Sequence, residues 1–216
     1  MKATALIQAG VLALTCSFLA TNVSAAIINV DNPSFETLPA GGLTFPCGTD
    51  CAYSLDLIPG WTNPPASTGQ FQPGPPATTT YFDTLSDGPT SAFSTGPNIS
   101  QMVVPTVLEG MIYTLLVDIG DRKDIPPVGQ AALLINGVQY MATGSYVFGA
   151  FSTFTATYTG VAADAGQSIT ILLLGPGSFD NVRLSLEAAP APEPGTMAML
   201  GLGLTALGVL RRKYAA

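Results

Sequence analysis

Between residues 26 and 188, apolar residues never recur at helical spacing for long enough to build a buried helix. They come in short runs, several of them strictly alternating, broken by turn residues in a chain with 23 Gly and 18 Pro. A chain patterned this way can bury its apolar residues only as β-strands. The candidate strands are 27–30, 98–104, 113–119, 131–135, 138–142, 152–158, 168–174 and 181–186. Between two of them, Asn136-Gly137 accepts the positive φ values of a two-residue hairpin turn. In 153–159 the alternation predicts that Phe154, Ala156 and Tyr158 face inward and the threonines outward. Many short strands in one chain of this length predict an all-β fold, an antiparallel two-sheet sandwich of jelly-roll type. The proline-rich stretch 58–97 is expected to be a long, largely irregular excursion, ordered where Trp61, Phe71, Tyr81 and Phe82 pack.

Charge narrows the chemistry. Of fourteen acidic residues only Glu193 lies in a terminal segment, whereas the body has only Arg122, Lys123 and Arg183 as bases. So acidic a surface repels nucleic acid and suits hard cations. The chain has no histidine, which excludes Ser-His-Asp and Cys-His catalysis and the common zinc sites. A pair of carboxylates remains as the hydrolytic chemistry the composition allows. Cys47 and Cys51 flank Gly48, and in an oxidising compartment they are expected to close a small disulfide loop.

Both ends carry transport signals. Lys2, an apolar stretch and the small residues Val23-Ser24-Ala25 predict a secretory signal peptide over 1–25. The body over 26–188 is then one β-sandwich domain. Residues 189–216 hold Pro192-Glu193-Pro194, an uncharged run over 195–210 and the basic stop Arg211-Arg212-Lys213. As a helix, that run spans about 24 Å, a marginal transmembrane length whose basic flank would stay in the cytoplasm. This order resembles the PEP-CTERM sorting signal. The resemblance implies recognition by an exosortase-type processing enzyme, an inner-membrane intermediate, and delivery to the cell surface or extracellular matrix.

Three pieces of the body resemble carbohydrate-binding-like, galactose-binding-like jelly rolls. They are Asn32-Pro33-Ser34-Phe35-Glu36, with Pro33 in place of the usual Gly, Pro59-Gly60-Trp61 and Phe179-Asp180-Asn181-Val182. Asn98 to Gln101, Tyr113 to Leu115 and Gly120 to Arg122 also fit that pattern. The resemblance implies that first and last strands lie side by side and that Glu36 and Asp180 are candidate ligands of a structural Ca²⁺. Trp61 could stack on a sugar or simply pack in the core, and Asp121 and Arg122 are candidates for a ligand edge or a solvated loop. The expectation from sequence is therefore a secreted, non-catalytic surface or matrix protein, with exopolysaccharide as its candidate ligand. A glycan hydrolase using two carboxylates, or a surface protein permanently tethered by its C-terminal helix, are the alternatives.

Overall fold

A computed structural model describes residues 25–74, 81–126 and 128–190. The expected signal peptide up to residue 24, the sorting motif at 192–194, the helix over 195–210 and the basic stop lie outside them. Among the described residues, no helix is long and apolar enough to cross a membrane. The strands are β1 (Ala26–Ile28), β2 (Phe45–Gly48), β3 (Cys51–Tyr53), β4 (Thr68–Gln72), β5 (Ser91–Ser94) and β6 (Ile99–Val103). They continue with β7 (Met111–Gly120), β8 (Gln130–Ile135), β9 (Val138–Met141), β10 (Phe151–Thr159), β11 (Ile169–Leu174) and β12 (Gly177–Ala188). They form two antiparallel sheets, a larger one in the order β10-β7-β12-β5-β4-β3-β2 with β1 also on β12, and a smaller one in the order β6-β11-β8-β9.

The inner faces follow the period of two. Tyr113, Leu115, Val117 and Ile119 of β7 are fully buried against Leu133 and Ile135 of β8 and Ile169, Ile171 and Leu173 of β11 in one continuous core. Burying each such side chain contributes about 1.5–3 kcal/mol. In β10, Phe154, Ala156 and Tyr158 point into this core, as the alternation predicts. All eight candidate strands are present, and β1 lies beside β12 through Ala26↔Leu186 to Ile28↔Leu184.

The stretch 58–97 differs from expectation, because it supplies β4 and β5, which pair with each other and join β3 to β12. Neither shows an apolar alternation, since Thr68, Gln70, Ser91 and Ser94 are buried there. Hydrogen bonds hold several of them: Thr68 to Pro64 O, and Gln70 Nε2 to Phe35 O and Thr37 O. Hydrogen-bonded polar residues can occupy interior positions that hydrophobic patterning does not flag. On the outer face of the larger sheet a second cluster forms around Cys51, Phe71 and Phe82, flanked by Tyr53, Tyr81, Phe93 and Phe151.

The structure joins Cys47 to Cys51 across the β2–β3 hairpin. Because the closed loop is short, replacing both by Ser should lower unfolding free energy by only about 2 kcal/mol. Chemical denaturation under non-reducing conditions measures this, and an unchanged midpoint would show that the bond constrains nothing.

The sandwich has two distinct poles. At one, Ala188 pairs with Met111, Thr159 with Ile112, and the Ala189 N–H donates to Gly110 O, so the described chain both enters and leaves there. At the other, Gly120 lies between Phe151 and Ser178.

Candidate functional site

The three body motifs fold onto one another. Asn32 is left-handed at φ 47°, and its side chain accepts from Thr37 N at 2.9 Å and donates to Pro59 O at 3.2 Å. The Trp61 ring N–H reaches Asn32 O at 3.3 Å, and its ring packs 5.3 Å from that of Phe35. Val182 N–H donates to Pro33 O at 2.9 Å. Phe35 is fully buried yet sits at φ 57°, a conformation a bulky residue rarely adopts unless its surroundings impose it. Its carbonyl accepts from Gln70 and from Thr90 Oγ1, which pins the turn that aims Glu36.

Glu36 Oε1 accepts from Thr90 N at 2.9 Å. Directly beneath it, Gly88 has φ +72°, and a Cβ there would come within 2.3 Å of Glu36 Oε1, so the carboxylate occupies the space a side chain would need. Asp180 lies in β12 where the register with β7 shifts between Asp180 and Arg183, with Asn181 left-handed at φ 47°. Such bulges re-aim side chains. Asp180 is 1 % exposed; its two oxygens accept from Asp87 N at 2.9 Å and Asn181 N at 2.7 Å. Ser34 Oγ in turn donates to Asp87 at 2.6 Å. Burial first, then the charges of Asp87 and Glu36, push the Asp180 carboxyl up from 3.8 to about 8, against the pull of its two N–H donors. It therefore carries a proton at neutral pH.

Asp118, opposite Asp180 on β7, has a different environment. It accepts from Ser86, Asn181, Thr153 and Arg183 at 2.6–3.2 Å, a fully partnered structural carboxylate that ties segment 83–90 to the sheet. Among the described residues, no three Asp, Glu or Cys side chains converge closely enough to hold one metal ion. Glu36 and Asp180, the calcium ligands expected from sequence, lie near enough for the Glu36 charge to act on the Asp180 carboxyl.

Farther along the same outer face, Tyr53, Phe71, Tyr81, Phe93, Cys47 and Arg122 line a cavity of about 170 Å³. Phe93 and Arg122 also border a larger cavity of about 320 Å³ at the Gly120 pole. The Arg122 guanidinium lies 4.6 Å from the Tyr81 ring centre and 5.4 Å from that of Phe71, and grips Asp124 with two hydrogen bonds. That grip holds the Asp124 carboxyl below its ordinary range. Asp121 is 7 % exposed, its charge acts on Tyr146, and its Oδ1 is buried without a partner among the described residues, so the two candidates of that loop face different environments. Trp61, 6 % exposed and packed on Phe35, offers no face to a sugar. Sequence reasoning missed Asp87, whose only local signal is the turn sequence Asp87-Gly88-Pro89.

The HpiC1-like family model, described as HpiC1 cyclase, matches residues 26–185. The chain belongs to the HpiC1-like cyclase family. A second model, the PEP-CTERM protein-sorting motif, matches residues 190–213 and marks the chain for export through the membrane-associated exosortase pathway to the cell surface. Among solved structures, a cyclase from Fischerella sp. TAU is similar with a TM-score of 0.61 at 23 % identity, covering 78 % of this chain and 100 % of its own. The same organism's cyclase in complex with 4-(1H-indol-3-yl)butan-2-one is similar with a TM-score of 0.60 at 23 % identity, over 77 % of this chain and 100 % of its own. The Stig cyclase Fisc, in complex with (3Z)-3-(1-methyl-2-pyrrolidinylidene)-3H-indole, has a TM-score of 0.61 at 25 % identity over the same shares. No curated protein matches the chain.

Family membership corrects the expectations of a non-catalytic module and of a carbohydrate-binding-like domain: the domain is of cyclase type. The physical reason lies in Asp180. Composition alone does not show that a carboxyl lies inside a strand, 1 % exposed, with its pKa raised by burial to about 8.

Proposed function

We propose that this chain is an exported cyclase in which Asp180 is the proton donor and the aromatic outer face of the larger sheet holds an indole-bearing substrate. The observation that carries this reading is the buried carboxyl of Asp180, held protonated to about pH 8 where the three motifs meet. A general acid works best when its pKa lies near the working pH. Transfer of the Asp180 proton to a substrate double bond leaves a carbocation. The indole π system attacks it to form the new C–C bond, and loss of a ring proton returns the acid, so substrate and product are isomers. Segment 83–90, tied down by the Ser86–Asp118 and Asp87–Asp180 hydrogen bonds, must open for substrate to reach the acid. Rings of Phe71, Tyr81 and Phe93 supply an apolar, π-rich wall that suits a cationic intermediate.

Incubating the exported protein with 3-alkenyl indoles should give a product of unchanged mass and altered retention, with a rate that falls as rising pH ionises Asp180. Asp180→Asn should abolish turnover, by at least 10²-fold for loss of a general acid, while still binding 4-(1H-indol-3-yl)butan-2-one. Turnover that survives Asp180→Asn would remove the acid from the mechanism.

The crowding of Glu36, Asp87 and Asp180 also favours a second reading, a Ca²⁺ held by Glu36 and Asp180 after these side chains rearrange. Millimolar Ca²⁺ would then raise the melting temperature by mass action, and Glu36→Gln or Asp180→Asn would abolish the rise. With Asp180 as proton donor, Ca²⁺ leaves the melting curve unchanged.

A further inference from the structure

The larger cavity, at the Gly120 pole, has an unbalanced lining. Phe93, Ile125, Pro126, Val128 and Pro176 make its walls apolar, and Arg122 is the one charged residue among its described lining. Two hydrogen-bond donors on that lining lack acceptors. Ser178 is 2 % exposed and borders the cavity, and its hydroxyl makes no hydrogen bond among the described residues. Asp124 takes the Nε and Nη2 edge of Arg122, which leaves Nη1 without a partner among the described residues. The other two hydroxyls are already committed: Ser94 donates to Pro97 O and Thr95 to Ser67 O. Both donors sit between apolar walls in a cavity open to solvent, where a ligand's acceptor can take the place of water.

We propose that this cavity binds a small, largely apolar monocarboxylate, whose carboxylate accepts from Arg122 Nη1 and the Ser178 hydroxyl. Charge selects the same class. Arg122, bridged on one edge by Asp124, is the one charged group among the cavity's described lining, and in a strongly acidic protein it is the group on that lining that attracts an anion. A volume of about 320 Å³ holds a bicyclic ring with a short side chain. A carboxylate fits better than a neutral carbonyl because hydrogen bonds to an ionised acceptor are about twice as strong. The inference rests on the cavity lining and borrows from the proposed function only the choice of an indole probe.

Indole-3-propionate and 4-(1H-indol-3-yl)butan-2-one differ only in a carboxylate oxygen replacing a methyl group. Titration calorimetry on the full chain at pH 7 should show the carboxylate binding at least about tenfold more tightly. Arg122→Met should erase that preference, and Ser178→Ala should weaken the carboxylate several-fold with little effect on the ketone. Because Arg122 also packs on Tyr81, Val128→Trp gives an independent check: it fills the cavity from an exposed position and should block both ligands. Equal affinities, or no binding of either, would overturn the proposal, as would a preference that survives Arg122→Met or Val128→Trp. Equal binding with intact turnover of alkenyl indoles would leave the cyclase reading standing, and a carboxylate preference without turnover would do the reverse.

Discussion

Asp180→Asn is expected to be less stable than the wild type near pH 4.5 and more stable near pH 9. The sign follows from linkage: a carboxyl raised from 3.8 to about 8 on folding binds its proton more tightly in the native state. Its contribution is fully present below pH 3.8 and is lost as pH rises through about 8. The gap of about four pH units, at about 1.4 kcal/mol each, sets a ceiling near 6 kcal/mol. Relaxation and water entry should leave on the order of 2–4 kcal/mol, or about 5–15 °C in melting temperature for a domain of this size. Asparagine removes the titration but offers one acceptor to the two N–H donors of Asp87 and Asn181, which costs about 1 kcal/mol at low pH. The two melting curves should therefore cross when followed from pH 4.5 to 9 in the presence of a chelator. A constant difference between them would mean that Asp180 is ionised throughout.

Gly69→Ala should be the most damaging single-methyl change in the larger sheet. A Cβ at Gly69 would stand 1.8 Å from Ser54 O and 2.7 Å from its carbonyl carbon, and backbone cannot rotate aside as a side chain can. Ser54 is 1 % exposed and donates its N–H to Gln70 O at 2.9 Å, so relief requires separating the segment before β4 from the strand itself. The expected cost exceeds about 4 kcal/mol, with loss of the β3–β4–β5 pairing that supports Phe71 and Phe93. Gly96→Ala is the control, since a Cβ there meets nothing within 4 Å. Urea denaturation and limited proteolysis should separate the two, and a Gly69→Ala midpoint close to that of Gly96→Ala would show that the sheet can part at little cost.

Strands with one apolar face were legible from sequence, because alternation in β7, β8, β10 and β11 records which side meets the core. β4 and β5 were not, because Gln70, Thr68 and Ser91 are buried and several are stabilised by hydrogen bonds from distant segments that no local window contains. The site divides in the same way. Glu36 and Asp180 could be picked out by their motifs, and the structure does bring them together. What no motif conveys is protonation, which depends on Asp87 arriving from a turn 93 residues away and on how completely that turn covers the carboxyl. Arg122 showed in sequence only as a candidate for a ligand edge or a solvated loop; its position over Tyr81 and Phe71 needed the whole sheet.

The two poles of the sandwich imply a direction. The described chain ends beside Gly110 at one pole, while the larger cavity lies beside Gly120 and Ser178 at the other. The cavity therefore lies about the length of a ten-residue strand, roughly 34 Å, from the point where the described chain ends. Molecules would then be captured as solutes from outside the cell and products released there, without passing through the bilayer. Severing the tail would change where such an enzyme works and leave the mouth of its cavity untouched.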